Sequence, residues 1–427
     1  MKLARDGWFG VLVGLLLAGS MWFYVQNILI GQQQVDANRL GIPRGNLSDL
    51  YPRWVGTKEL LLHHRDPYDA EITREIQAGY YGRPLDPARP NDPRDEQGFV
   101  YPVYVAFLLA PTVGLPFPAV QALFRWILIL LTAASVLMWL RILEWHPPIR
   151  TRALLLILTL GSFPFAQGLK LQQLSLLVAG LVAVSAVLLI SDHLTTAGVV
   201  LGVATIKPQL VLPVAAFLLM WALSDWGRRK RLVLGFAGAM LVQCAGAEFL
   251  LPGWFGRFER AVAAYRAYNG GAHSTLEELL TPAWGTALSV LIVLFVAVLA
   301  WRCRRMAAGS VPFSFVLTSM LAITVLIVRK ASPYNQILLL PGILFAAQHW
   351  EIFCGERVTR TLTWLATALV IWPWIAAAQL CVMALFTPLA KVEDAWALPL
   401  YTSLLIPVAV AGLLGLKARE FCRPPAA

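Results

Sequence analysis

The chain has 427 residues, of which 58% are hydrophobic and 14% charged, with a mean hydropathy of +0.65. Soluble domains carry about 25% charged residues, so this composition excludes an ordinary soluble enzyme and describes a polytopic membrane protein. The net charge of +11 comes from short basic clusters between apolar runs, without a basic stripe interleaved with aromatics, so no nucleic-acid partner is expected.

The first element is an apolar run over 9–30, preceded by Lys2 and Arg5. It is longer than the apolar core of a signal peptide and reads as a retained first transmembrane helix. A polar stretch follows over 31–100. It carries Asn46-Leu47-Ser48-Asp49-Leu50-Tyr51 and Asp66-Pro67-Tyr68-Asp69, with a tandem His63-His64 that has no metal-ligand spacing. The run 101–117, opening Tyr101-Pro102-Val103-Tyr104, is expected to lie in the outer interface as a helix rather than to cross. A crossing there would invert every later connection against the distribution of cations.

Transmembrane spans are expected at 9–30, 119–141, 153–167, 174–191, 196–206, 209–223, 232–251, 284–301, 311–328, 337–354, 361–386 and 397–416, about twelve in all. The stretch 195–223 is apolar apart from Lys207-Pro208-Gln209. It reads as two short helices meeting at a proline break, with a lysine that must line a polar cavity. Two further connections, 252–281 and Arg329-Lys330-Ala331-Ser332-Pro333-Tyr334-Asn335-Gln336, fall on the same side as Lys207. Basic clusters at Lys2/Arg5, Arg141/Arg150/Arg152, Arg228-Arg229-Lys230-Arg231, Arg302/Arg304/Arg305, Arg357/Arg360 and Lys417/Arg419/Arg423 mark the opposite side as cytoplasmic. The short outer connections hold only Lys170, Lys207, Arg329, Lys330 and Lys391. One membrane domain over 1–427 is expected, with 31–117 as an extracytoplasmic loop between the first two transmembrane helices and both termini cytoplasmic.

The outer face thus gathers one early acid, Asp49, with Lys170, Lys207, Arg329 and Lys330. Cations at that depth suit a lipid-linked phosphate, and Tyr51, Trp54, Tyr68, Tyr80, Tyr81 and Tyr101 suit a sugar ring or an interfacial aromatic belt. Asp49 has the chemistry of a general base for an acceptor hydroxyl, while its position before Leu50 equally suits a helix cap. Cys244, Cys303, Cys354, Cys381 and Cys422 are scattered and suggest no disulfide or metal site. There is no Walker loop, dinucleotide fingerprint, nucleophile elbow or Asp-x-Asp pair. No cofactor and no metal are expected.

Taken in order, Asp49-Leu50-Tyr51, Asp66-Pro67-Tyr68-Asp69, Phe99-Val100-Tyr101-Pro102, Leu109-Ala110-Pro111, Gln173-Leu174-Ser175-Leu176-Leu177, Ala197-Gly198-Val199-Val200-Leu201-Gly202 running to Lys207-Pro208-Gln209, and Ser332-Pro333-Tyr334 resemble the landmarks of glycosyltransferase family 87, in the GT-C superfamily. The similarity covers roughly residues 9 to 345. It implies an all-α GT-C-type bundle that transfers a hexose, most often mannose, from a polyprenyl-phosphate donor to a lipid or glycan acceptor. The reaction would take place on the extracytoplasmic face of the plasma (inner) membrane, inverting a β-linked donor to an α-linkage. Asp49 takes the general-base role, Lys207 contacts the donor phosphate, and Gln173 and Tyr101 lie near the donor pocket. Arg329 and Lys330 join the donor site, with Tyr51, Asp66, Tyr68, Tyr334 and Asn335 as secondary candidates. This chain reads Gln172-Gln173 where the family often has Gly-Gln, Tyr101-Pro102-Val103 where it often has Tyr-Pro-Pro, and Tyr334-Asn335 where a histidine often follows the Ser-Pro pair. A transporter or flippase of lipid-linked sugars would use similar residues but predicts an inverted repeat, which is not visible. A non-catalytic membrane subunit would use 31–100 as a recognition loop.

Overall fold

The computed structural model describes residues 7–39, 41, 48–86, 88–89, 92–93, 95–268, 271, 273–329, 331–388, 392, 395 and 397–422. Among them the regular elements are all helices. A long first helix is built from α1 (Gly7–Phe23), a π-helical turn and α2 (Ile30–Arg39). The loop helices α3 (Leu50–His63), α4 (Ala70–Tyr81) and α5 (Val105–Leu109) follow, and then the bundle: α6 (Phe117–Ile142), α7 (Ile149–Leu160), α8 (Phe163–Lys170), α9 (Leu174–Ile190), α10 (Leu194–Ala204), α11 (Pro208–Leu223), α12 (Trp226–Leu250), α13 (Trp254–Tyr268), α14 (Thr275–Leu279), α15 (Pro282–Cys303) and α16 (Val311–Ile327). A 3-10 turn over Pro333–Leu339 leads into α17 (Leu340–Gln348), α18 (Trp350–Phe353), α19 (Arg357–Phe386) and a final segment, Leu398–Phe421.

All twelve expected apolar runs fall on helical segments, but length and composition support fewer crossings. Six helices are long and apolar enough to span: Trp8–Arg39, α6, α12, α15, α19 and Leu398–Phe421. The pair α7 and α8, bent by 49° at its break, makes a seventh if it is one span. The helices α9, α10, α11 and α16 are shorter apolar pieces. In α16 every residue from Phe313 to Leu326 is buried, so its hydrophobicity is met by protein. In contrast, α15 turns Trp284, Leu291, Leu294 and Val298 outward, as a lipid-facing helix must.

Close helix approach is encoded by small residues. A side chain on Gly198 of α10 would put its Cβ 2.2 Å from the Leu232 carbonyl oxygen, and one on Gly235 of α12 would come within 2.1 Å of the Thr195 carbonyl oxygen. Gly202 faces Ala239 one turn further on. This Gly-x-x-x-Gly seam lets the two backbones touch and fixes where α10 ends, just before Lys207. At the other end of α11, Arg229 sits 3.9 Å from the Trp221 ring centroid and donates to the carbonyls of Trp221, Arg304 and Met306 at 3.0–3.3 Å. The basic connections 224–231 and 302–306 therefore share one end of the bundle. Lys207 stands at the opposite end of α11, about 24 Å away for a helix of 16 residues rising ~1.5 Å each.

The first loop is folded onto the bundle. Helix α4 buries Ile72, Ile76 and Tyr80 at helical spacing. Gly79 has no room for a side chain, because a Cβ there would lie 2.1 Å from the Tyr51 hydroxyl. Trp54 Nε1 donates to the Thr112 carbonyl at 3.1 Å, and an Arg257–Asp66 ion pair ties the loop to α13. The segment 101–117, expected as an interfacial helix, forms only the five-residue α5 and one 3-10 turn. Val103 to Ala106 and Leu109 are buried against the bundle.

Candidate active site

Helix α3 begins at Leu50 with Asp49 in the cap position, yet the Asp49 side chain makes no capping bond. Its carboxylate is turned elsewhere: Gln173 Nε2 donates to Oδ2, and the Tyr80 hydroxyl donates to Oδ1 at 3.3 Å. The backbone is fixed by Asp49 N donating to the Leu171 carbonyl at 3.0 Å, and by Ser48 Oγ donating to Gln172 Oε1 at 2.6 Å. A carboxylate that caps its own helix is spent locally. This one is held across the interface between the loop and the bundle instead.

The turn between α8 and α9 presents Gln173. Gln172 lies in the left-handed region with φ of +49°, where glycine is favoured, and its side chain is anchored by Ser48 and the Gln121 carbonyl. Gln173 then bridges two charges: its amide nitrogen donates to Asp49, and its carbonyl accepts from Lys207 Nζ at 3.3 Å. Lys207, 7% exposed, also donates to Ser175 Oγ at 2.6 Å and lies 5.2 Å from the Tyr334 ring centroid. Ser175 Oγ in turn donates to Asn335 Oδ1 at 2.8 Å. A polar row therefore runs from Asp49 through Gln173, Lys207 and Ser175 to Asn335. Buried polar groups are tolerated when each is bonded, and this row satisfies its members in turn.

The row opens onto a cavity of about 770 Å³, within the range of small-molecule sites. Asp49, Tyr101, Gln173, Lys207, Arg329 and Tyr334 all line it. So do Pro208 and Gln209, the first residues of α11, whose amino end adds partial positive charge. The opposite wall comes from α13, with Phe258, Tyr265 and Arg266. Tyr265 donates to Asp95 Oδ1 at 2.9 Å and holds the loop against α13. Burial alone raises the Tyr101 hydroxyl pKa, but Lys207 and Arg53 outweigh it and bring it below the ordinary phenol value.

The expected residues divide cleanly. Asp49, Gln173, Lys207, Tyr101, Arg329 and Tyr334 converge on the cavity, and Asn335 stands behind it as the acceptor for Ser175. Tyr68 supports the site from outside by donating to the Tyr101 carbonyl at 2.6 Å. Asp66 is engaged with Arg257, and Tyr51 packs on Trp54 and Phe117; neither lines the cavity. Lys330 lies outside the described residues. Sequence reasoning missed Arg53; it quoted Ser175 within the Gln173 motif and placed Tyr265 and Arg266 on the outward connection 252–281 without giving them a site role, and it gave Tyr80 no role beside Asp49. Arg53 is one helical turn from Asp49, so spacing signals it; the two-residue separation of Ser175 from Gln173 carries no such signal.

A tethered carboxylate, a buried lysine and aromatic walls around one cavity can deprotonate a hydroxyl, hold an anionic group and seat an apolar or sugar-like ring. The family model for glycosyltransferase family 87 matches residues 99–333, more than half of the chain, and includes Tyr101, Gln173, Lys207 and Arg329 but not Asp49. No curated protein and no solved structure matches the chain. The match, with the apolar helices that carry it, identifies this protein as a membrane glycosyltransferase that belongs to glycosyltransferase family 87.

Proposed function

We propose that this glycosyltransferase moves a hexose, mannose in the first instance, from a polyprenyl-phosphate donor to a hydroxyl of a lipid or glycan acceptor on the extracytoplasmic face. Asp49 takes the proton of the acceptor hydroxyl as its oxygen attacks the anomeric carbon. The bond from that carbon to the phosphate oxygen breaks, and its electron pair leaves on polyprenyl phosphate, which Lys207 and Arg329 stabilise. Attack opposite the leaving group converts a β-linked donor into an α-linked product.

The observation that carries this reading is the Gln173 bridge, which holds a carboxylate and a buried ammonium on one cavity wall. The two groups serve the two ends of a displacement: one accepts the incoming proton and the other receives the departing charge. Sidedness is supported by the basic connections at the far end of α11, since cytoplasmic loops collect Lys and Arg. The loop segment from Asp49 to Pro102, which lines the cavity, then lies on the extracytoplasmic side.

The test is Asp49→Asn in membranes supplied with labelled polyprenyl-phosphate mannose. General-base catalysis contributes about 10²–10⁴-fold, so transfer falls by that factor while the protein remains folded. Transfer at the wild-type rate by a folded variant removes Asp49 from the mechanism. A donor with another hexose transferred in preference to mannose corrects the sugar.

A further inference from the structure

Arg53 is the side chain in the cavity whose bonding is incomplete. It follows Asp49 by one turn of α3, lines the cavity, and has its guanidinium carbon 4.4 Å from the Tyr101 ring centroid. Its Nη1 donates to the Asp49 carbonyl. Its Nε is buried and has no hydrogen-bond partner among the described residues. A buried N–H without an acceptor is costly, and in native proteins such a group asks for a ligand or an ordered water.

Guanidinium geometry says what that ligand is. Nη1 is committed to the Asp49 carbonyl and the guanidinium also bonds the Tyr101 side chain, so Nε is the donor left without an acceptor, and a phosphate or carboxylate oxygen is the acceptor a guanidinium binds most strongly. The Tyr101 ring supports the guanidinium face, so the group is oriented before any ligand arrives. Lys207 lines the same cavity from α11, and Tyr101 feels both cations. The two positive groups thus line one cavity from different elements of the fold, Arg53 over the Tyr101 ring from the loop and Lys207 over the Tyr334 ring from the bundle.

We infer that Arg53 is a ligand of the donor phosphate, its guanidinium and the Lys207 ammonium forming a two-cation cradle in the cavity they both line. This rests on reading the cavity as the site of a polyprenyl-phosphate sugar. It adds that the loop itself supplies a phosphate ligand, so the donor's charge docks between α3 and the start of α11. Because Arg53 also grips the Asp49 carbonyl, phosphate binding and placement of the base are linked through one side chain.

Binding separates this role from a purely structural one. Full-length wild-type protein, Arg53→Met and Arg53→Lys are compared in nanodiscs for affinity to a short-chain polyprenyl phosphate and to the matching polyprenol. Wild type prefers the phosphate. Arg53→Met loses about 10- to 100-fold of that preference, the worth of a charged hydrogen bond, while its affinity for polyprenol is unchanged. Arg53→Lys keeps charge without the guanidinium and loses a smaller part. Should Arg53→Met fail to fold, Arg53→Lys decides: a reduced preference supports the guanidinium contact, and a full wild-type preference overturns it. An Arg53→Met protein that keeps the wild-type preference overturns Arg53 alone. A wild type with no preference for the phosphate overturns the donor reading and this inference together.

Discussion

Gln173 is the residue whose replacement tests the geometry of the site most sharply, because one amide serves both charges. It is 3% exposed, and its two ends meet Asp49 and Lys207 Nζ, the latter at 3.3 Å. Leucine at this position fills nearly the same volume and removes both bonds. A hydrogen bond to a charged group nets about 1.5–3 kcal/mol, so the two together set a ceiling of about 3–6 kcal/mol for the lost interactions. The share that matters for the rate is the bond that orients the base. Loss of ~1.5–3 kcal/mol of transition-state stabilisation lowers kcat by about 10- to 150-fold. Gln173→Asn keeps the amide but is one methylene shorter, so it cannot reach both partners and should behave almost like leucine. The assay is hexose transfer at saturating labelled donor, with KM measured alongside kcat and folding checked by thermal denaturation. If Gln173→Leu turned over within about threefold of wild type, well below the worth of one such bond, the bridge would have no part in the machinery.

Other expectations follow from packing and charge. Gly79→Ala drives a Cβ into the Tyr51 hydroxyl at 2.1 Å, beside the residue that bonds Asp49. It should cost about 1–3 kcal/mol of stability and reduce transfer more than a surface substitution on α4, read by melting and activity together. Gly198→Leu meets the Leu232 carbonyl oxygen at 2.2 Å and must part α10 from α12. It should lower yield and melting temperature by overpacking, about 1–3 kcal/mol or more, and displace Lys207 at the end of α10. Acid sensitivity should centre on Asp92, whose carboxyl is held down at about 2 by its hydrogen bonds with Arg83, 2.9 Å for the Nη1 contact. A carboxyl depressed on folding stabilises fully above its ordinary value of 3.8 and loses that contribution as pH falls toward 2. Limited proteolysis within 82–98 should therefore accelerate only below about pH 4, and Arg83→Gln should abolish the pH step.

Much of the site was legible in the sequence because it is written in short motifs at element ends. Lys207 before Pro208 is a lysine forced into an apolar run, and Gln173 opens α9 after a turn that favours glycine. At Asp49 the sequence allows a cap or a base, and the structure shows a carboxylate without a capping bond, turned toward Gln173 and Tyr80. Arg53 sits one helical turn from Asp49, a spacing that periodicity reports, whereas the two-residue step from Gln173 to Ser175 is not one that helical periodicity brings together. Nothing in the sequence brings Tyr80 to Asp49 or α13 over the cavity, since loop packing is set by pairs such as Asp66–Arg257 and Tyr265–Asp95 that span long separations. Of the twelve expected crossings, six helices, or seven with the bent pair, are long and apolar enough to span, while α9, α10, α11 and α16 are shorter apolar pieces.

A cryo-EM map of the Asp49→Asn protein with bound polyprenyl-phosphate mannose tests the central claim most directly. The account predicts the donor phosphate at Lys207 inside the cavity, with the anomeric carbon turned toward residue 49 and room for an acceptor hydroxyl between them. A donor phosphate seated away from Lys207, or a sugar whose anomeric carbon faces away from residue 49, would contradict it.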